Sequence, residues 1–224
     1  MKKSNVFIVS FCLLTVIFSS HAVYSNISAH EHQGILTPYL GEPERIVLKE
    51  KDFQKLKKGK AIFKKQLVGD NKRAVVITRV KADSSTIWSV IKDFDSYPEW
   101  IDDIKSMEIY RQEESTIYVR FDVENRYSGK VTWYARHNYP SDSREWGTWT
   151  LDYDRMSDLD DSVGFWRVSI DPEDPAYSLV FYSTSLKLKT RVPQFIVRII
   201  INAKLKQSTQ WVQQQSESRM TSMY

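Results

Sequence analysis

From Lys105 to Ser185 the sequence keeps a period of two, and beyond Pro193 the period changes to 3.6. No other feature limits the possible folds as strongly. In "TIYVRFDVE" the apolar residues Ile117, Val119, Phe121 and Val123 fall on one phase. Tyr118, Arg120, Asp122 and Glu124 fall on the other. "KVTWYARH" repeats the pattern with Val131, Trp133 and Ala135. "WGTWTLDY", "GFWRVSI" and "YSLVFYSTS" continue it, and "RYSGK", "YPSDSRE", "RMSDLDDS" and "DPEDPAY" supply the turns between them. With Lys105–Arg111 included, the chain reads as a meander of six strands. The helix after Pro193 carries Phe195, Ile196, Ile199, Ile200, Ala203 and Leu205 and ends near Trp211–Gln215. A meander followed by one amphipathic helix predicts an α+β fold, with helices on a single face of an antiparallel sheet.

Upstream, residues 50–68 predict a short helix ending at Gly59 and a strand from Lys60 to Val68. Residues 73–82 predict a second strand, and Asp83 or Ser84 caps the helix that follows. That helix carries Ile87, Trp88, Ile91 and Phe94. It breaks at Asp95, Ser96 and Pro98, and a second short helix then contains Trp100. Large aromatics around such a break suggest a gate, with a plug at the end of the core as the plainer reading.

Lys2 and Lys3, the apolar run "VFIVSFCLLTVIFSS" and "SHA" make residues 1–22 a signal peptide for export to the periplasm or outside the cell. An uncleaved anchor is the competing reading. Cys12, the only cysteine, lies inside this segment, so the exported chain carries no disulfide and no thiol ligand. Half of the formal net charge of +4 comes from Lys2 and Lys3, which argues against nucleic acid as a partner. Residues 23–59 read as an exposed polar lead-in with a short helix, 60–215 as the main folded domain, and 216–224 as a tail.

The order of elements resembles the START-like helix-grip fold of the SRPBCC superfamily, and most of all its bacterial polyketide cyclase/dehydrase and coenzyme Q-binding branch. "VKADSSTIWSVIKDFDSYPEWI" (80–101) is similar to that branch's strand end, Trp-bearing helix and "DF..YP.W". "VGFWRVSI" (163–170) looks like its "G.W" strand, and "KLKTRVPQFIVRIIINAKL" (187–205) like its entry to the last helix. The resemblance implies a curved sheet of about seven strands around the C-terminal helix, with two short helices between the first two family strands. It also implies an apolar cavity for a lipid, sterol, quinone or polyketide-like molecule. The chain itself is read as needing no cofactor and as a monomer.

Candidate cavity residues are Tyr97, Trp100, Phe121, Trp133, Trp149, Trp166, Tyr182, Phe195 and Ile199. Alternation places Phe121 and Trp133 on the inner face. Trp149, Trp166 and Tyr182 follow from the resemblance. Large rigid rings suit an apolar ligand and equally suit a filled core. Arg120, Glu124 and Arg136 fall on the outer phase as cross-strand charges. His137 falls on the inner phase but at a strand end, where it reads as a rim histidine without chemistry. Lys187, Lys189 and Arg191 are candidates for contact with an anionic membrane, or ordinary solvated cations. "HEH" (30–32) lies where nothing in the sequence fixes a metal geometry, and the acidic stretch 152–161 reads as a solvated hairpin tip. No metal is assigned, and no convergent acid/base pair marks an enzyme. A carrier, a cyclase or aromatase on a similar ligand, and a cavity-poor envelope interaction domain are the three functional classes left.

Overall fold

The computed structural model describes residues 28–125, 129–141, 145–189 and 209–222 of the chain. Eight antiparallel strands form a single sheet in the order β1-β2-β8-β7-β6-β5-β4-β3. They are β1 (Ile62–Val68), β2 (Asn71–Val80), β3 (Ile104–Glu113), β4 (Thr116–Asn125), β5 (Gly129–Asn138), β6 (Trp146–Leu151), β7 (Leu159–Ile170) and β8 (Ser178–Leu188). The helices are α1 (Glu50–Lys57), α2 (Ser84–Ile91), a 3₁₀ turn (Phe94–Ser96), α3 (Tyr97–Trp100) and α4 over 209–222. This is the helix-grip α+β architecture. β3 to β8 follow one another as hairpins, and β8 also pairs with β2 and so joins the first hairpin to the meander.

Alternation does the work expected of it on β4. Val119 and Phe121 are buried in the main core, and Ile117 and Val123 pack against it. On the opposite phase Arg120 Nη2 donates to Asp122 Oδ1 at 3.1 Å, and the hydroxyls of Ser106 and Thr132 also donate to that carboxylate. The outer position expected for Arg120 therefore holds.

At the other end of the sheet, Asp83 caps α2 and accepts from Thr86 N at 2.9 Å. Its carboxyl is held below the ordinary value, chiefly by the Ser85 hydroxyl and the Thr86 amide that donate to it. Val80, Ile87, Val90 and Ile91 bring this end of the sheet and α2 into the same core as β4.

Three expectations need correction. Residues 23–59 are not an exposed lead-in: from Ser28 onward the described part straps the sheet face opposite α2 to α4. Tyr39, Ile46, Leu48 and Phe53 pack there on a second core made of Leu56, Ile62, Val75, Ile77, Phe165, Leu179 and Phe181. Helices therefore lie on both faces, since α1 belongs to this second layer. The strap's irregular backbone is held by buried polar side chains of the sheet. Arg73 Nη2 donates to the Thr37 carbonyl at 2.5 Å, Gln66 Nε2 to the Glu44 carbonyl at 2.9 Å, and Arg167 to Glu42 and the Pro43 carbonyl.

The acidic stretch 152–161 is not a solvated tip either. Asp161 is fully buried, and its carboxylate accepts the Ile35 and Leu36 amides at 2.7 Å and the Tyr153 hydroxyl at 2.8 Å. β7 consequently starts at Leu159, earlier than its apolar run suggests.

Finally, residues 216–222 are helix rather than tail. Ser216 is buried, Glu217 accepts the Lys81 amide at 3.1 Å, and Arg219 pairs with Asp93. Among the described residues no helix is long and apolar enough to cross a membrane.

Candidate ligand site

Strand register assembles the site. Direct cross-strand partners are Phe121 and Trp133, His137 and Trp149, and Trp166 and Tyr182. Rings in such positions stand side by side on one face. Phe121 and Trp133 stack at 4.9 Å with an interplanar angle of 8°. Trp149 lies opposite Gly164, and a Cβ at Gly164 would land inside the Trp149 ring. That steric demand is the physical content of the "G.W" strand: the glycine admits the tryptophan of the neighbouring strand.

The rings close into a circuit. His137 meets Trp149 at 5.8 Å, Trp149 meets Tyr182 at 5.6 Å, and Tyr182 meets Trp166 at 4.1 Å. Trp166 meets Trp211 of α4 at 6.3 Å, and Trp211 meets Tyr97 at 4.6 Å. Tyr97 meets Phe94 at 5.4 Å, and Phe94 returns to His137 at 5.0 Å. Trp100 stands outside the circuit, stacked on Trp211 at 5.8 Å. Of the aromatic candidates within the described residues, all of Tyr97, Trp100, Phe121, Trp133, Trp149, Trp166 and Tyr182 bury in or pack against the main core. Phe195, Ile199 and Arg191 lie outside the described residues, and so does the first part of the helix expected to cover the site.

The helix break is locked by hydrogen bonds. The Tyr97 hydroxyl donates to the Ile91 carbonyl at 2.6 Å, closing the C-terminal end of α2. Ser96 Oγ bonds Asp93 Oδ1 at 3.0 Å, and Arg219 reaches Asp93 and Ser89 from α4. Burial pushes the Tyr97 hydroxyl well above its ordinary pKa, so it stays protonated as a donor.

Two residues of the circuit were not anticipated in their roles. Trp211 joins the break to the sheet, although the sequence shows it only as one more residue near the end of a helix. His137 is no rim histidine. It is 6% exposed, within the aromatic circuit, and desolvation drives its pKa down to about 3. Its Nδ1 lies 3.5 Å from the Tyr139 hydroxyl, and its Nε2 has no hydrogen-bond partner among the described residues. The imidazole is therefore neutral and offers one unmet polar contact in an otherwise apolar wall. The inward phase of β5 pointed to this position; its place at the strand end concealed the packing of Phe94 and Tyr139 over it.

The cationic candidates are drawn to acids of the protein itself. Lys187 Nζ lies 3.8 Å from Asp160 and Lys189 Nζ 3.3 Å from Glu31. Lys189 thereby fastens the strap to the end of β8, and Lys187 ties β8 to β7.

An antiparallel sheet that turns one aromatic face toward helices is the fold expected of a polyketide cyclase-like domain. The chain belongs to the polyketide cyclase/dehydrase and lipid transport family, whose model matches residues 80–208.

Solved structures agree on the fold. A START superfamily protein from Mycobacterium smegmatis is 20% identical with a TM-score of 0.55, covering 68% of this chain and 99% of its own. An aromatase/cyclase from a Streptomyces species is 14% identical with a TM-score of 0.56, covering 66% and 94%. A STAR-related lipid transfer protein from Xanthomonas axonopodis is 12% identical with a TM-score of 0.55, covering 70% and 93%. No curated protein matches the chain at a significant level.

Proposed function

We propose that this protein binds and carries a hydrophobic small molecule (a lipid, sterol, quinone or polyketide-like compound) between the sheet and the C-terminal helix, after export by its N-terminal signal. The observation that carries this reading is His137. An aromatic circuit around a neutral imidazole with an unmet Nε2 suits a ligand that is apolar over most of its surface and has one hydroxyl or carbonyl. Transfer of such a ligand from water yields about 25 cal/mol per Å² of apolar area buried. The unmet imidazole then favours a ligand that completes its hydrogen bond over one that cannot.

Native mass spectrometry, with lipid extraction of protein purified from its own compartment, tests the carrier. A stoichiometric co-purified apolar molecule is expected, and fractionation should place the protein outside the cytosol. A clean apo mass together with no uptake from a panel of lipids, sterols and quinones would sink the reading.

A cyclase-type enzyme is the second reading. The observation on its side is the His137–Tyr139 pair, an imidazole 3.5 Å from a phenol at the site. Conversion of a bound polyketone analogue, lost in His137→Phe with binding retained, separates enzyme from carrier.

A further inference from the structure

We propose that His30, His32 and Asp160 form a binding site for a divalent transition metal, zinc being the best match, which clamps the N-terminal strap to β7. The sequence alone gives "HEH" no fixed geometry, but the fold supplies one. The strap runs beside the β6–β7 connection: His30 N donates to the Tyr153 carbonyl at 3.0 Å, and Met156 N to the Ser28 carbonyl at 2.8 Å. Asp161 holds the next turn of strap through the Ile35 and Leu36 amides. One ligand atom each from His30, His32 and Asp160 then falls within 4.8 Å of the others.

The two imidazoles differ in a way that points to a metal. His30 is 6% exposed, and its Nε2 lies 2.8 Å from the Asp160 carbonyl, which can only accept. The proton is thereby fixed on Nε2, and Nδ1 keeps a bare lone pair. That buried Nδ1 has no hydrogen-bond partner among the described residues. A metal-ligating histidine characteristically donates its other ring N–H to a carbonyl or carboxylate in this manner.

His32 and Asp160 already touch, with Nε2 to Oδ1 at 3.0 Å. Their side chains are 26% and 22% exposed, which leaves them room to adjust. Bonds of about 2.0–2.2 Å in a tetrahedral site put ligands about 3.3 Å apart, so the cluster needs to contract by roughly 1.5 Å at its widest. His32 Nδ1 accepts the Gly34 amide at 3.1 Å. Coordination through Nε2 moves the ring proton to Nδ1 and releases that amide. Lys187 sits on the side of Asp160 Oδ2 and leaves Oδ1 for the metal. Two imidazole nitrogens and one carboxylate oxygen suit zinc, copper(II) or nickel(II) over magnesium or calcium, and a water would fill the fourth position.

The test is zinc titration by calorimetry of the purified protein, made without a histidine tag and stripped with EDTA, alongside His32→Gln, Asp160→Asn and His30→Gln. Wild type should take up one zinc ion and gain several degrees in Tm, because the ion binds only the folded strap. His32→Gln and Asp160→Asn, both at partly exposed positions, should keep the wild-type circular dichroism and weaken binding by at least about tenfold. Hydrogen exchange at the Gly34 amide should speed up when zinc is added to wild type. No stoichiometric uptake by wild type, or equal uptake and equal Tm gain in His32→Gln and Asp160→Asn, would overturn the site. His30→Gln is read only if it retains the native spectrum. Neither result bears on the ligand site on the opposite face of the sheet.

Discussion

At the scale of single residues, His137 makes the fold sensitive to acid. Its folded-state pKa is depressed to about 3 by desolvation, against an ordinary value of 6.5. The unfolded chain therefore binds a proton that the folded chain refuses. The stability contributed by the neutral imidazole is complete above about pH 6.5 and is lost as pH falls below that value, at about 1.4 kcal/mol per pH unit. Tyr97 and Tyr139 beside it are pushed upward by burial and stay neutral throughout. The carboxylates held low by their partners, among them Asp52, Asp83 and Asp122, begin to lose stability only at the lower end of the range. Urea unfolding between pH 6.5 and 4.5 isolates the histidine. Wild type should weaken steadily across that window, and His137→Phe should stay nearly flat. Equal slopes would mean that the imidazole is hydrated in the folded state.

At the scale of elements, the break between α2 and α3 is a joint held by hydrogen bonds and ring packing. Tyr97 spends its hydroxyl on the Ile91 carbonyl and its ring on Phe94 and Trp211. Tyr97→Phe should therefore cost about 1–2 kcal/mol by orphaning a buried carbonyl. The urea midpoint should drop with an unchanged m-value, and amide exchange should quicken at the end of α2. A gate would behave differently, with stability unmoved and ligand uptake altered.

The elements also show what a sequence can disclose. β4, β5 and the Asp83 cap were legible because each expresses a local rule: a period of two, or an oxygen three residues ahead of an amide. The strap was not legible. Tyr39, Ile46 and Leu48 are spaced with no period, because an irregular chain meets the sheet wherever its carbonyls find Arg73, Gln66 and Arg167. For the same reason Asp160 and Asp161 looked like turn residues, since their partners lie about 125 positions earlier. In the site, register brought the aromatic candidates together, but the packing of Trp211 and Phe94 that closes the circuit depends on how the helices dock.

At the scale of the whole molecule, the sheet is sealed on both faces by different means. One face meets helices and carries the aromatic circuit. The other meets a strap with little regular structure, whose apolar anchors cover Phe165, Leu179 and Phe181. These anchors are only partly buried, and the conformational entropy lost in ordering an irregular segment offsets much of what their burial contributes. A chain beginning at Glu50 should accordingly still fold, but with a lower urea midpoint and a lower m-value, because it exposes less new surface on unfolding. It should also bind more of the dye ANS in its native state than the full protein does, through the uncovered face. If the segment were merely a linker, the two proteins would share midpoint, m-value and dye response. A truncated chain that retains its aromatic circuit should still take up the apolar ligand, which would separate the sheet's binding face from the strap that supports it from behind.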